Sequence, residues 1–311
     1  MSGLSSFISG LFSSSSEVVG STLRTSADLT VTSSRFVTSP IVSRLVNNLA
    51  FLPPARSTAV LHELSCDPAH TFITNGEYKI SLLTSTPKTY KASLRECIVF
   101  SHGNGSDILS MRSLCDYWAD VFMLDCICYD YPGYGLSVRL DDELSTTSSF
   151  TSSMSKPSKR TRPKTYPTEE GCYNSMKIVM DHLRKEYDVI YIVGQSLGTG
   201  ICVDYCAKYA WKTPIVLISP YKSIARVIAD SCATSAIDSS FNTYEKVDKL
   251  KCPVKIFHGD SDTLIHISHG EDIYKALLDK KLSPVWLKNV GHNDILDKIT
   301  TAHLLEVFRS E

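Results

Sequence analysis

No stretch of this sequence approaches the ~20 consecutive apolar residues that a membrane-spanning helix needs, and its first residues carry neither the basic start nor the unbroken apolar run of a secretory signal. The expectation is a chain that is neither secreted nor membrane-spanning. A dominant charge is lacking too. Lys and Arg number 32 against 33 Asp and Glu, for a net charge of −1, so the chain as a whole does not attract nucleic acid or anionic lipid, and no nucleic-acid partner is expected. The ten cysteines form no C-x-x-C pairs of the zinc-holding kind. Scattered from Cys66 to Cys252, mostly inside apolar runs, they read as buried, reduced thiols of a cytosolic protein. No metal ion or cofactor is expected, and the absence of an internal repeat excludes a repeat array.

What is present is one core's worth of apolar sequence with two polar interruptions. At 311 residues and 43% hydrophobic content, the chain can bury a single large core. Residues 1–40 hold 18 Ser or Thr, too polar to fold alone, and are expected to be a disordered tail ahead of a catalytic domain at 41–311. Within the tail, Leu4, Phe7, Ile8, Leu11 and Phe12 recur at helical spacing opposite Ser and Gly. They are either scattered apolar residues of the disordered tail, since so short a helix is marginal in water, or a short amphipathic helix able to give a minor peripheral membrane fraction of a mainly cytoplasmic protein. Ile41 to Leu52 is a second such segment, expected to dock its apolar side on the core. A second Ser/Thr-rich stretch at 139–164 reads as a solvated insertion.

Between these, short apolar runs alternate with helical patterns. Cys97–Phe100, Phe122–Tyr129, Val189–Val193, Ile215–Ile218, Val254–Phe257 and Val285–Leu287 fit strands buried on both faces. Thr168-Glu169-Glu170 opens a helix whose stripe is Cys172, Met176, Val179, Met180 and Leu183. The expected class is α/β, with a mostly parallel, eight-stranded sheet, helices on both faces, and only a small cap in the short interval Ser219 to Pro253.

In such a sheet the chemistry gathers at the carboxyl ends of strands, and four of these ends carry polar, glycine-containing loops: Ser101 to Gly105, Gly194 to Gly198, His258 to Asp262 and Gly291 to Asp294. Gly194-Gln195-Ser196-Leu197-Gly198 is a G-x-S-x-G elbow between a strand and a helix, the geometry that exposes a serine Oγ above a sheet. A serine hydroxyl becomes a nucleophile when an imidazole takes its proton and an acid orients that imidazole. The chain order Ser196, an Asp, then His292 suits this. Asp260 and Asp262 leave the same strand and compete for the acid's role, whereas Asp294 reads as a helix-start acid. The N–H groups of Leu197 and Asn104 are the expected oxyanion hole, with Gly105 close behind. His102 reads as a loop-shaping residue, the Asp130-to-Gly135 segment as a turn beside the site, and His182, His266 and His269 as surface or packing residues. Ile224, Val227 and Ile228 are either pocket lining or core.

Taken together, "AFLPP", "FSHGNGSD", "YDYPGYG", "VGQSLGTG", "HGDSDTLIHISHG" and "GHNDI" closely resemble the depalmitoylases of the α/β-hydrolase-domain-containing protein 17 group, over roughly Leu45 to Phe308. The resemblance implies an α/β-hydrolase fold and a serine hydrolase that removes palmitate from cysteines of membrane-associated proteins. Matched by motif, the family's triad falls on Ser196, Asp262 and His292, which favours Asp262 over Asp260. Two features depart from the family: the insertion at 139–164, and the absence of the acylated cysteine cluster that its members carry near the N-terminus. The partner expected is an S-acylated protein or another acyl ester. The alternatives are a general carboxylesterase or lysophospholipase using the same triad, or an inactive binding module on the same fold.

Overall fold

The computed structural model describes residues 51–89, 95–144, 165–228 and 240–308. The Ser/Thr-rich tail, the amphipathic segment within it, most of the 139–164 stretch and residues 41–50 lie outside the described residues.

The described chain opens with helix α1 (Thr58–Cys66), capped by the Ser57 side chain, and a hairpin of β1 (His70–Thr74) and β2 (Tyr78–Ser85). Then follow β3 (Glu96–Ser101), α2 (Ile108–Phe122), β4 (Asp125–Tyr129), the two-residue β5 (Val138–Arg139) and α3 (Leu140–Leu144). After 165 come α4 (Glu169–Leu183), β6 (Val189–Gln195), α5 (Leu197–Lys208), β7 (Ile215–Ile218) and α6 (Ile224–Ile228). A 3₁₀ turn (Tyr244–Lys249) leads to β8 (Val254–Gly259), α7 (Ser268–Ala276), β9 (Val285–Leu287), α8 (Ile295–Lys298) and α9 (Thr301–Phe308).

The strands make one mixed sheet in the order β1-β2-β4-β3-β6-β7-β8-β9, with β5 paired to β2. From β4 to β9 every pairing is parallel, while β2 is antiparallel to its neighbours. Nine strands therefore replace the eight expected. The additional one, β5, is too short to show as an apolar run, and it carries Arg139 into the sheet opposite Tyr78. The polar stretch thus begins inside the fold: Leu140 N donates to the Glu77 carbonyl and starts α3.

Alternation along the strands builds two cores. Cys97, Val99, Ile190 and Ile192 face one side, against the stripe of α4 and the inner residues of α5. Ile98, Phe100, Tyr191 and Val193 face the other, against Trp118 and Phe122 of α2 and Phe308 of α9. The α4 stripe is buried as its spacing predicts, and Thr168 caps the helix by accepting from Gly171 N. The apolar run from Phe122 is divided differently from the expectation. Phe122 ends α2, and Met123 at φ 59° makes the left-handed stop before β4 starts at Asp125. Composition is continuous across that break, so only backbone geometry reveals it. Phe51 is buried edge-on against Phe241, but Leu52 is 61% exposed, so the 41–52 segment does not dock its last apolar residue. Ile224 and Val227 pack against the first core. Of the cysteines among the described residues, only Cys66 is exposed, and all are free. No helix among the described residues is long and apolar enough to cross a membrane.

Candidate active site

Strand order reverses direction between β3 and β6: the chain steps from β3 to β4 on one side, and from β6 through β9 on the other. A crevice at the carboxyl ends of such a pair is where open α/β sheets bind ligands. Both strand ends deliver glycine-containing loops to that point, and Ser101 is in register with Gly194.

Ser196 follows the last residue of β6 and precedes α5, with φ 49° and ψ −118°. A non-glycine residue in that region carries strain of order 1–3 kcal/mol. The conformation is held from both sides. Ser196 N donates to the Ile218 carbonyl at 2.8 Å, while its own carbonyl accepts from Thr199 N at 2.9 Å and Thr199 Oγ1 at 2.7 Å. The flanking glycines are required by close approach. A Cβ on Gly198 would stand 2.0 Å from the Ser101 carbonyl oxygen, and one on Gly194 would stand 2.7 Å from the Gly198 carbonyl oxygen. The elbow can only be this tight because neither residue has a side chain.

His292 Nε2 lies 3.1 Å from Ser196 Oγ, and His292 Nδ1 lies 2.7 Å from Asp262 Oδ2. Asp262 is 2% exposed and leaves the end of β8 in a turn whose N–H groups fix its second oxygen: Oδ1 accepts from Leu264 N at 3.0 Å and Ile265 N at 2.8 Å. Burial pushes this carboxyl up. The hydrogen bond and charge of His292, with the Ile265 N–H, outweigh burial and hold it below the usual carboxylate range. Asp260, the competing acid, points elsewhere. Its Oδ1 accepts from Asn289 N at 2.7 Å and from Ser261 Oγ, which latches the loop that carries His292. Asp294 sits at the start of α8 and makes no side-chain cap bond.

The loop after β3 abuts the serine: a Cβ on Gly103 would be 3.5 Å from Ser196 Cβ. Asn104 Oδ1 accepts from Leu52 N at 2.6 Å and Tyr134 OH at 2.9 Å. Its side chain therefore braces the loop, and its backbone N–H is the group the oxyanion role requires. Leu197 is the first residue of α5, so its N–H has no acceptor within the helix. Beneath the loop, His102 and Asp130 are fully buried with Nε2 and Oδ1 3.3 Å apart, and Tyr131 OH donates to the His102 carbonyl at 2.6 Å. Desolvation raises the Asp130 pKa above the usual carboxylate range. Asp107, which caps α2, accepts two bonds from the Arg56 guanidinium at 2.7 Å. The expected turn at 130–135 thus supplies two tyrosines that shape the loop after β3. Their sole sequence signal was their place around Pro132-Gly133. Among the other histidines, His269 is buried and its Nδ1 accepts from Lys222 N at 3.1 Å, a partner the sequence did not reveal. His266 bonds Ser268.

Two surface depressions, about 610 Å³ beside Leu250 and Leu278 and about 330 Å³ beside Ile73 and Ile178, do not include Ser196. Geometry, not concavity, singles out the Ser196 cluster. Among the described residues no group of His, Cys, Asp and Glu is arranged to hold a metal ion.

The mixed sheet flanked by helices, with a strained serine elbow at its reversal point, defines a class, and solved structures share its fold. Est1E from Butyrivibrio proteoclasticus, solved with ferulic acid bound, aligns with TM-score 0.56 at 18% identity, over 76% of this chain and 98% of its own. XC6422 from Xanthomonas campestris, an α/β serine hydrolase without a lid, aligns at TM-score 0.52 and 13% identity, over 83% and 97%. The chain belongs to the α/β-hydrolase family: it is 47% identical over 214 residues to the putative alpha/beta hydrolase L404 of Acanthamoeba polyphaga mimivirus, covering 68% of this chain and 72% of that one. Its curated relatives include the group recognised from the motifs. Human alpha/beta hydrolase domain-containing protein 17B is 25% identical over 84% of this chain and 88% of its own length, and mouse 17C is 30% identical over 65% and 56%. No family model matches the chain.

Proposed function

We propose that this hydrolase is a serine hydrolase that removes palmitate from S-acylated proteins. The observation that carries the reading is the unbroken relay from Asp262 through His292 to Ser196, with contacts of 2.7 and 3.1 Å. In the proposed reaction Ser196 Oγ attacks the acyl carbonyl carbon as its proton passes to His292 Nε2. Asp262 holds the imidazole with Nδ1 protonated and stabilises the imidazolium. The N–H groups of Leu197 and Asn104 take up the charge on the tetrahedral oxygen. The C–S bond then breaks, His292 returns its proton to the leaving cysteine thiolate, and palmitate stays on Ser196. Water, deprotonated by His292, releases it as the free acid.

The choice of acyl thioester is supported by the motif resemblance to the protein 17 group and by the rim of the site. Leu52, beside Asn104, and Leu264, two residues past Asp262, are 61% and 57% exposed. An acyl chain leaving a bilayer loses about 0.8 kcal/mol per CH₂ and needs apolar surface of this kind to offset it. On this reading the enzyme is cytoplasmic and meets its substrate through weak peripheral membrane contact. Its hydrolysis of a palmitoyl-thioester peptide, compared with a short-chain p-nitrophenyl ester, tests the proposal. A kcat/KM for the thioester at or below that for the ester would overturn the substrate assignment, and failure of a fluorophosphonate to label Ser196 would overturn the chemistry.

A further inference from the structure

His258, the penultimate residue of β8, is fully buried, with Nε2 2.8 Å from the Ile265 carbonyl oxygen and 3.6 Å from Asp262 Oδ2. A carbonyl can only accept, so Nε2 carries the hydrogen. Nδ1 then presents a lone pair, and it has no hydrogen-bond partner among the described residues. It faces α7 at Gly270, where a Cβ would stand 2.6 Å away. Ile265 is therefore clamped at both ends of one residue: its N–H donates to Asp262 Oδ1, and its carbonyl accepts from His258. A buried imidazole with one unsatisfied nitrogen is a poor space-filler, since an apolar ring would occupy the same volume without an orphaned acceptor. The bond from Nε2 to the Ile265 carbonyl, in the turn that fixes Asp262, has to account for its presence. Burial, partly opposed by the Ile265 bond and the Asp262 charge, lowers its pKa and keeps the ring neutral.

We propose that His258 is a positioning residue for the relay: as the neutral Nε2–H tautomer it donates to the Ile265 carbonyl and ties down the 262–265 turn, keeping the Asp262 carboxylate aimed at His292. This rests on the proposed roles of Ser196, His292 and Asp262.

The test uses the full chain, a short p-nitrophenyl ester, and the variants His258→Phe and His258→Gln, with melting midpoints as the check on folding. The Phe variant should lose about ten- to thirtyfold in kcat with KM within about twofold, the effect of leaving one buried carbonyl unsatisfied in the turn that holds Asp262. The Gln variant places an amide N–H near the position of Nε2 and should recover to within about threefold of wild type. A folded Phe variant with wild-type kcat overturns the proposal, as does a folded Gln variant as slow as Phe. A ¹⁵N imidazole spectrum of the wild-type chain near neutral pH decides independently of any variant. It should report His258 as the Nε2–H tautomer, and an Nδ1–H tautomer or an imidazolium would refute the proposal. Undiminished turnover in Ser196→Ala would instead sink the triad reading and leave the tautomer result intact.

Discussion

Replacing Asp262 with Asn is a demanding test of the relay, because the structure dictates which way the amide must sit. Asp262 Oδ1 receives two backbone donors, Leu264 N at 3.0 Å and Ile265 N at 2.8 Å. An amide nitrogen there would face two N–H groups and lose both bonds, so the carboxamide oxygen takes the Oδ1 place and the NH₂ takes that of Oδ2. The NH₂ then points at His292 Nδ1, 2.7 Å from Oδ2 in the native site. Nδ1 is obliged to accept, the hydrogen moves to Nε2, and Nε2 can no longer take the proton of Ser196 Oγ. The fold is retained while the tautomer is wrong, which costs on the order of 10⁴ in kcat, or about 5.5 kcal/mol of transition-state stabilisation. Steady-state hydrolysis of a short ester measures this, with Asp260→Asn as the control. The Asp260 variant keeps an oxygen for Asn289 N and should stay within a few-fold of wild type. A kcat for Asp262→Asn within tenfold of wild type would refute the reasoning, as would full activity in Asp262→Ala with loss in Asp260→Ala.

Ser196→Ala should abolish both ester hydrolysis and fluorophosphonate labelling, and His292→Ala should come close to doing so; a labelled Ser196→Ala protein would place the nucleophile elsewhere. Gly198→Ala should destabilise by at least ~3 kcal/mol, because a Cβ 2.0 Å from a backbone oxygen forces α5 off β3; urea denaturation with a midpoint unchanged from wild type would contradict the packing. The contributions of three groups with lowered pKa values to thermal stability should drain away with acidification in two stages, against an opposing gain from Asp130, whose pKa is raised. His258, near Asp262, His292 and His266, and His70 both have pKa values lowered by burial, so their contributions are complete above about 6.5 and drain away as pH falls toward their folded values. Asp262, also lowered, loses its contribution below about 4. Melting curves of His258→Gln should lack part of the first stage and keep the second, and curves identical to wild type would exclude His258 as a source.

The fold class and the elbow were legible because they depend on local patterns. Strands buried on both faces appear as apolar runs, helices as a repeat near 3.6, and a sharp turn into a helix as paired glycines around one serine. The order of Ser196, an Asp and His292 along the chain, read against strand ends, was enough to gather candidates at one edge of the sheet. Where composition carries no mark, the reading failed. β5 is only two residues long, and the Phe122–Tyr129 run hides a left-handed residue between a helix and a strand. Asp260 and Asp262 are two residues apart on the same loop, and nothing in their types separates them. Backbone direction does: one oxygen pair turns inward to His292, the other outward to Asn289. Nor could spacing foresee that Tyr134 would brace Asn104 across 30 residues or that His258 would share Ile265 with Asp262. Periodicity and turn chemistry act between near neighbours and so are written along the chain. Hydrogen-bond partners, tautomers and the depth of burial arise between segments that meet only when the sheet closes around them.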